Sequence, residues 1–314
     1  MDEQAARALA HWDLEDPRAS EPLRRENTVY PICTSAKKFA LRLHRPGYRN
    51  CSELHSELEW MTFLAEAGLG VPTPVRTSTG ALLAETDGTN ASLLTWLPGC
   101  PMGTTATPLE ITDRAGVFHN LGALMARLHS VSDAWERPPD FIRPLWDEDG
   151  LVGESPLWGR FWDAPFADDD ARAVLRTFKE TAERDLSNLH DESSPDFGLI
   201  HADLLRENVL IDDGNLSMID FDDSGWGYRL FDIATSLGKN FSEPDRDDLK
   251  TALLTGYRSV RPIDTGALDL FMALRACTYL GWIADRWTEP GAPERAARNL
   301  SHALTSVQTY LRAR

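Results

Sequence analysis

The spacing of the apolar residues changes once along the chain, near Pro98-Gly99. Before this point, short segments alternate between apolar and polar residues as β-strands do, and one amphipathic helix, from Cys51 to about Ala67, interrupts them. Beyond it, the apolar residues recur at helical spacing. This order predicts an α+β fold with a strand-rich N-terminal lobe, residues 1–97, and a mostly helical C-terminal lobe, residues 98–314.

The predicted strands of the first lobe cover residues 27–33, 37–44, 81–85 and 91–97, and the predicted helices of the second cover residues 116–129, 171–189, 246–260, 267–286 and 293–311. A further β segment lies inside the helical part, and its Asp213-Gly214 pair is typical of a hairpin turn. Residues 141–166 fit neither period, and we expect them to form an ordered insertion.

Charge and composition exclude several classes of function. The 314 residues include 32 Lys and Arg against 49 Asp and Glu, a net charge of −17 that repels nucleic acids and anionic lipid headgroups. No apolar run approaches the roughly 20 residues of a membrane span, and the acidic N-terminal sequence lacks the basic region of a signal peptide. The 4 cysteines lack the paired spacing of a zinc or redox site. We expect a cytoplasmic protein without nucleic-acid or membrane partners; its oligomeric state stays open.

Three polar residues inside the β segment have the spacing of a phosphoryl-transfer site. His201, Asp203 and Asn208 satisfy the pattern H-x-D-x-x-x-x-N, and Asp220 follows at the end of an apolar strand. In such a site one carboxylate accepts a hydrogen bond from the attacking hydroxyl, while an amide oxygen and a second carboxylate hold Mg²⁺. We assign the first role to Asp203 and the metal roles to Asn208 and Asp220.

The hairpin predicted at Asp213-Gly214 explains this spacing, because it places Asn208 and Asp220 at neighbouring ends of paired strands. A simpler interpretation takes Asp203 as a turn residue with a local hydrogen bond, and Asn208 and Asp220 as ordinary strand-end residues. Each assignment alone allows that interpretation. Their combination with a hairpin favours the catalytic one.

The segment HADLLRENVLIDDGNLSMIDFDDSGWGYRLFDIAT, residues 201–235, resembles the catalytic core of the aminoglycoside phosphotransferase and choline kinase superfamily. LGALMARLHS, residues 121–130, is similar to a helix of that family. The resemblance implies a bilobal, protein-kinase-like fold whose small lobe carries one main helix. It also implies transfer of the γ-phosphate of ATP, or of another NTP, to a hydroxyl of a small molecule with Mg²⁺ as the metal ion.

The same resemblance implies structural roles for two residues near Asp203. His201 would order the catalytic loop, and Asp232 would bond the loop backbone rather than a metal; a plain helix N-terminal carboxylate is the alternative for Asp232. Ala202 stands where many relatives carry glycine, so only the local backbone freedom is in question.

In the small lobe, Ala40 and Arg42 share one face of a predicted strand, as the alanine and lysine of V-A-I-K do in a protein kinase. Ala40 would admit adenine, and Arg42 would take the place of the lysine at the phosphates, with Lys37 and Lys38 as substitutes in a shifted register. A solvent-facing Arg42 is the alternative. Backbone groups from Thr95 to Leu97 would meet the edge of the adenine.

Glu57 lies on the apolar face of the small-lobe helix, whereas Glu59 points away. Because an isolated buried carboxylate is costly, we expect Glu57 to pair with Arg42; the alternative is an edge glutamate that reaches water. Neither G-x-x-x-x-G-K-[ST] nor G-x-G-x-x-G occurs, so a turn at residues 34–36 would cover the phosphates. The missing glycine pattern argues against an ordinary protein kinase.

The acceptor pocket should lie beside Asp203. The insertion at 141–166 mixes aromatic and acidic side chains, which suits a cationic or amino-bearing alcohol such as an amino alcohol or an antibiotic. In the late helix, Arg275, Tyr279, Trp282 and Arg286 recur on one face. The candidate substrate contacts are Asp222, Trp162, Trp282 and Arg286. The alternative is that the aromatic residues only pack the insertion and the acidic residues only solubilise it.

Two other functions remain open at this point. One is a Ser/Thr protein kinase of the same fold. The other is a catalytically silent nucleotide-binding regulator, which would be expected to have lost Asp203, Asn208 or Asp220, although all three are present.

Overall fold

A computed structural model describes residues 3–24, 27–105, 107–193 and 196–314 of the chain. Its helices are α1 (Glu3–Leu9), α2 (Cys51–Glu66), α3 (Arg114–Asp133), α4 (Glu148–Val152), α5 (Asp169–Ser193), α6 (Arg229–Gly238), α7 (Arg246–Arg258), α8 (Leu268–Asp285) and α9 (Ala292–Arg312). Its strands are β1 (Arg18–Ala19), β2 (Leu23–Arg24), β3 (Thr28–Cys33), β4 (Lys38–Leu43), β5 (Pro74–Val75), β6 (Ala84–Thr86), β7 (Thr89–Thr95), β8 (Cys100–Pro101), β9 (Leu145–Trp146), β10 (Phe197–Ile200), β11 (Val209–Asp212), β12 (Asn215–Met218) and β13 (Gly225–Tyr228).

The chain divides into two units. The first unit comprises residues 1–102, 134–143 and 208–222, and the second comprises residues 103–133, 144–207 and 223–314. The first unit holds an antiparallel sheet in which the strands follow the order β1-β3-β4-β7-β5, with β2 paired to β3 and β6 paired to β7. It also holds the three-stranded sheet β12-β11-β8. The second unit is mostly helical, with the small sheet β10-β13-β9.

Helix α2 begins and ends where its local sequence predicts. Asn50 caps the first turn: its side chain accepts the Glu53 N–H at 2.9 Å, while the Glu53 carboxylate accepts the Asn50 N–H at 2.9 Å. Gly68 follows the last turn with a φ of +79°, a conformation that glycine adopts without strain. The buried face contains Leu54, Leu58 and, among these apolar residues, the carboxylate of Glu57.

The hairpin predicted at Asp213-Gly214 is confirmed. Strands β11 and β12 pair antiparallel from Val209 opposite Met218 to Asp212 opposite Asn215. Asp213 and Gly214 form the two-residue turn with φ values of +46° and +83°, as a hairpin turn of the primed type requires.

In the second unit, α3 and α7 approach backbone to backbone. A Cβ on Gly122 of α3 would lie 2.0 Å from the Leu253 carbonyl oxygen, and one on Gly256 of α7 would lie 1.8 Å from the His119 carbonyl oxygen. Glycine is therefore required at both positions. The close packing brings Nδ1 of His129 to within 2.8 Å of the Tyr257 hydroxyl.

The structure corrects the ends of two predicted strands and adds one helix. The strand predicted at residues 81–85 begins only at Ala84, and the strand predicted at residues 91–97 ends at Thr95. Helix α1 is an addition to the predicted elements; its Ala5, Ala8 and Leu9 pack in the core of the first unit. Residues 141–166 are ordered, as expected, and contain β9, α4 and a short 3-10 turn at Phe161–Asp163. Within the described ranges, no helix has the length and apolar character of a membrane span.

Candidate active site

The first unit contains a buried ion network, which we call the Arg42 cluster: Arg42, Glu57, Arg143 and Asp222. Arg42 extends from β4, donates Nη1–H to Oε1 of Glu57 at 2.8 Å and pairs through Nη2 with Oδ1 of Asp222. Arg42 is 6% exposed and Glu57 is fully buried. The predicted contact between Arg42 and Glu57 is confirmed, and the solvent-facing alternatives for both residues are wrong.

Arg143 completes the network, and the sequence offered no periodic signal for it. Its Nη1 lies 3.4 Å from Oε2 of Glu57. Its Nη2 donates to the carbonyl oxygens of Phe221 and Asp222 at 3.0 and 2.9 Å. A buried arginine thus ties helix α2 to the segment that follows Asp220. Asn27 donates to the second carboxylate oxygen of Asp222.

The neighbouring charges hold Glu57 and Arg42 ionised. Burial by itself would raise the pKa of Glu57, but the positive charges of Arg42 and Arg143 lower it to about 2. Burial opposes the charge of Arg42 as well, yet Asp222 and Glu57 raise its pKa above the ordinary value. The neighbouring His44 stays neutral, because burial and the charge of Arg42 lower its pKa to about 3.

Other nucleotide-site predictions lie on the same sheet. Ala40 is half-buried and pairs with Leu94 of β7. The N–H of Thr95 is bonded to the Thr73 carbonyl oxygen at 2.9 Å, and the N–H of Trp96 is bonded to the Lys38 carbonyl oxygen at 3.1 Å. The N–H groups of Thr95 and Trp96 are thus bonded within the first unit, and the contact of residues 95–97 with adenine stays a prediction.

The turn between β3 and β4 is organised by one hydroxyl. Oγ1 of Thr34 accepts the N–H groups of Ala36 at 3.3 Å and Lys37 at 3.0 Å. Lys37 and Lys38 are exposed, and Nζ of Lys38 lies 3.8 Å from the centre of the Trp96 ring. Arg42, rather than either lysine, is thus the buried cation of β4.

The two predicted metal ligands lie together in the first unit. The Asn208 carbonyl oxygen accepts the Ile219 N–H at 2.9 Å, so Asn208 faces the residue that precedes Asp220. Asp220 has an exposed side chain and a φ of +69°, a left-handed conformation that costs a non-glycine residue on the order of 1 kcal/mol. One amide and one carboxylate suit Mg²⁺, which is bound by few protein oxygens together with the phosphates of its substrate. Their roles as ligands stay predictions.

Asp203 lies in the second unit, on a loop fixed by Asp232. The two Asp232 oxygens accept the N–H groups of His201 at 2.9 Å and Ala202 at 2.7 Å. Ala202 adopts a φ of +66°, which explains why glycine would fit there, and the two hydrogen bonds offset the strain. The loop-bonding role expected for Asp232 is confirmed. Nε2 of His129 lies 3.0 Å from Asp232, and burial lowers the pKa of His129 to about 4.

Arg275 reaches Asp203 from α8. It is 3% exposed, and its Nη2 donates to Oδ1 of Asp203 at 2.8 Å. Its Nε donates to Oγ1 of Thr235 at 3.0 Å, and its guanidinium carbon lies 4.6 Å from the centre of the Trp158 ring. The helical spacing grouped Arg275 with Tyr279, Trp282 and Arg286 on one face of α8, but it did not predict the contact with Asp203.

The aromatic residues of the insertion are mostly packed. Trp162 is 4% exposed and lies 4.9 Å from Phe161, ring centre to ring centre. Nε1 of Trp146 donates to the backbone carbonyl oxygen of Asp223 at 2.8 Å, and Nε1 of Trp158 donates to Oδ1 of Asp223 at 3.3 Å. These contacts agree with the packing alternative.

The substrate contacts assigned to Asp222, Trp162, Trp282 and Arg286 stay predictions, and these four residues lie in different surroundings. Both oxygens of Asp222 are engaged in the Arg42 cluster, in the first unit. On α8, Trp282 stacks on Tyr279 with ring centres 5.2 Å apart, and the Arg286 guanidinium lies 4.3 Å from the Trp282 ring. Trp282 and Arg286 are half-buried, whereas Asp222 is engaged in ion pairs and Trp162 is packed, so the first two remain the better candidates for contact with an acceptor.

Comparison with known proteins agrees with this geometry. The model of the phosphotransferase enzyme family matches residues 20–271. A homoserine kinase of Brucella abortus is 30% identical over 276 residues, which cover 85% of this chain and 78% of that protein. A microcompartment-associated aminopropanol kinase has a structure with a TM-score of 0.85 at 26% identity, over 98% of this chain and 97% of that one. An amicoumacin kinase, solved with AMP-PNP and Ca²⁺, shares the fold at a TM-score of 0.78 and 20% identity, over 97% and 94% of the two chains. The predicted α+β, protein-kinase-like fold is confirmed.

Proposed function

Because this chain belongs to the phosphotransferase enzyme family, we propose that it transfers the γ-phosphate of ATP to a hydroxyl group of a small, amino-bearing alcohol. The observation that carries the proposal is the catalytic loop, in which two bonds from Asp232 hold the backbone at Ala202 in a strained conformation beside Asp203. Relatives that act on homoserine and on aminopropanol support a small acceptor.

Asp203 accepts the hydrogen bond of the acceptor hydroxyl and aligns its oxygen for attack on the γ-phosphorus. A new P–O bond forms to the acceptor, the bond from the γ-phosphorus to the bridging oxygen breaks, and ADP leaves with that oxygen. The hydroxyl proton passes to the Asp203 carboxylate and from there to water. The products are a phosphate monoester and ADP.

In the first unit, Arg42 binds the phosphates of the nucleotide. A guanidinium has five N–H donors, and the bonds to Glu57 and Asp222 occupy only part of this set. Glu57 and Arg143 keep the side chain in place, so Arg42 need not be ordered when ATP binds. Ala40 and the backbone at Leu97 border the adenine.

Asn208 and Asp220 hold Mg²⁺, which neutralises phosphate charge when it is bound. The hairpin keeps the backbones of Asn208 and Asp220 close together, because the Ile219 N–H is bonded to the Asn208 carbonyl oxygen. The strained backbone of Asp220 belongs to this role, since local strain collects at functional sites. Consumption of ATP fits the expected cytoplasmic location.

The alternatives are less favoured. A protein kinase is disfavoured by relatives that phosphorylate small molecules and by the lack of a glycine-rich loop in the sequence. A silent regulator would not need to retain Asp203, Asn208 and Asp220 together.

The test is an assay of ADP formation with a panel of small alcohols, amino alcohols, hydroxy amino acids and aminoglycosides. We expect acceptor-dependent, Mg²⁺-dependent turnover. Asp220→Ala should abolish turnover at ordinary Mg²⁺ concentrations, because it removes one of the few protein ligands of the ion. Phosphorylation of protein substrates alone would contradict the proposed function. An unchanged Mg²⁺ dependence in Asp220→Ala would contradict the assignment of Asp220 as a metal ligand.

A further inference from the structure

Lys239, the residue that follows α6, is a largely buried cation without a carboxylate partner in the described part of the chain. Its Nζ donates to Oδ1 of Asn299 at 3.0 Å and lies 3.5 Å from the centre of the Tyr279 ring. Both partners are uncharged. Among the described residues, the direct contacts of the Lys239 ammonium group are therefore an amide and an aromatic face.

Arg275 lies on the same tyrosine, with its guanidinium carbon 5.9 Å from the centre of the Tyr279 ring. Its Nη2 is bonded to Asp203, but its Nη1 is buried and has no hydrogen-bond partner among the described residues. We call Asp203, Arg275 and Lys239 the Arg275 cluster. The cluster contains two cations and one carboxylate.

Within the described ranges, no carboxylate lies in direct contact with Lys239. Burial and the repulsion of Arg275 lower the pKa of Lys239 to about 7, while Asp203 and Glu207 act in the opposite direction. From α9, Arg298 adds positive charge. Burying a cation without a counter-ion is costly, and such a cost is retained where a ligand provides the missing charge.

We propose that Lys239 and Arg275 form a subsite for a carboxylate group of the acceptor, next to the hydroxyl that Asp203 receives. A single negative charge balances the one uncompensated cation, which favours a carboxylate over a dianionic phosphate. The acceptor is then a hydroxy amino acid or a hydroxy acid rather than a simple amino alcohol. The inference rests on the proposed function, since it takes Asp203 as the residue that meets the reacting hydroxyl.

This subsite differs from the cationic acceptor that the acidic and aromatic insertion suggested. The net charge of −17 also favours a cationic acceptor, but Arg275 contacts Asp203 directly, and Lys239 lies against the same tyrosine as Arg275. Local contacts outweigh the distant surface, because exposed charges are screened beyond about 8 Å at physiological ionic strength.

The experiment compares three acceptors that differ by one group. L-Homoserine has a carboxylate and an ammonium group, 3-amino-1-propanol lacks the carboxylate, and 4-hydroxybutyrate lacks the ammonium group. We expect the wild type to have a higher kcat/KM for L-homoserine and 4-hydroxybutyrate, which carry a carboxylate, than for 3-amino-1-propanol. Lys239→Met should lower this value for both carboxylates by roughly 10- to 100-fold, mostly through KM, because a hydrogen bond to a charged group is lost. The value for 3-amino-1-propanol and the KM for ATP should change little.

Two further variants separate charge from structure. Lys239→Arg keeps the charge and should retain the preference for carboxylates. Lys250→Met makes the same change on α7, at a side chain that is 42% exposed. It should leave kcat/KM unchanged for all three acceptors. A wild type that uses 3-amino-1-propanol as well as L-homoserine overturns the subsite, and so does an equal loss for all acceptors in Lys239→Met.

Failure of the subsite can be told apart from failure of the proposed function. Absence of ADP formation with every alcohol would refute the function. The subsite is then judged by calorimetric titration of L-homoserine into the wild type and Lys239→Met. Binding that weakens in the variant supports it, and equal affinities or no binding in the wild type overturn it.

Discussion

The Arg42 cluster of the first unit and the Arg275 cluster of the second use the same kinds of side chain, but their charge balance differs. The first has two arginines and two carboxylates, all buried and bonded to one another. The second has an arginine and a lysine for one carboxylate. A balanced network holds its own geometry, whereas an unbalanced one gains stability when a ligand supplies the missing charge.

The largest effect is expected from a substitution of Asp203, the carboxylate of the unbalanced Arg275 cluster. Asp203→Asn should lower kcat by roughly 10²- to 10⁴-fold, because the amide cannot take the proton of the acceptor hydroxyl. The KM for ATP should stay near its wild-type value, since the nucleotide is assigned to the first unit. Steady-state kinetics measure both quantities.

Asp269→Asn is the matched control for this variant. Asp269 lies at the start of α8, and its side chain is 78% exposed. A folded Asp203→Asn protein with the turnover of the control would refute the assignment of Asp203 as the base.

A substitution in the balanced Arg42 cluster should mainly lower the stability of the fold. Glu57→Gln leaves Arg42 and Arg143 with one fewer buried counter-charge, and the free energy of unfolding should fall by about 3 kcal/mol. Glu59→Gln on the same helix removes a carboxylate that lies 3.5 Å from Nδ1 of His55, and it should change the free energy of unfolding by less than about 0.5 kcal/mol. Chemical denaturation measures both values.

The pairing itself can be measured by combining Glu57→Gln with Arg42→Met. Either single change should weaken ATP use, and the double variant should lose little more, with a coupling energy of about 1–3 kcal/mol. Strict additivity would mean that the two side chains act independently. The Arg42 cluster would then not be a network that holds its own geometry.

The last expected effect is a pH dependence that differs between the two regions. Folding lowers the pKa of His44 from 6.5 to about 3, so the unfolded chain binds the extra proton between these values. The free energy of unfolding should therefore fall as the pH falls through this window, by at most about 1.4 kcal/mol per pH unit. For Lys239, whose pKa drops from 10.5 to about 7, the same rule gives a free energy of unfolding that rises between pH 7 and 10.5.

Thermal unfolding at a series of pH values can assign each window to its residue. His44→Gln should flatten the acid window alone, and Lys239→Met the alkaline window alone. Loss of both windows in one variant would indicate that the titrations are not local to these residues.

Several parts of the active site could be predicted because their determinants are close in sequence. The Asp213-Gly214 turn fixes the register of its hairpin, and the register brings Asn208 next to the residue before Asp220. Helical spacing in α2 likewise separated the buried Glu57 from Glu59. A buried carboxylate requires a cation, which pointed to Arg42.

The sequence by itself therefore determined the strand-rich and helix-rich order of the chain, the hairpin of β11 and β12, and the pairing of Glu57. Only the tertiary structure decided that Asp222 neutralises Arg42 from 180 residues away, that Arg143 joins the same network, and that Arg275 contacts Asp203. Turns and helical faces follow from neighbouring residues, whose geometry the backbone restricts to a few forms. Contacts between distant residues depend on how the elements pack, and an acidic sequence with a net charge of −17 gave no sign that two cations would gather near its proposed catalytic aspartate.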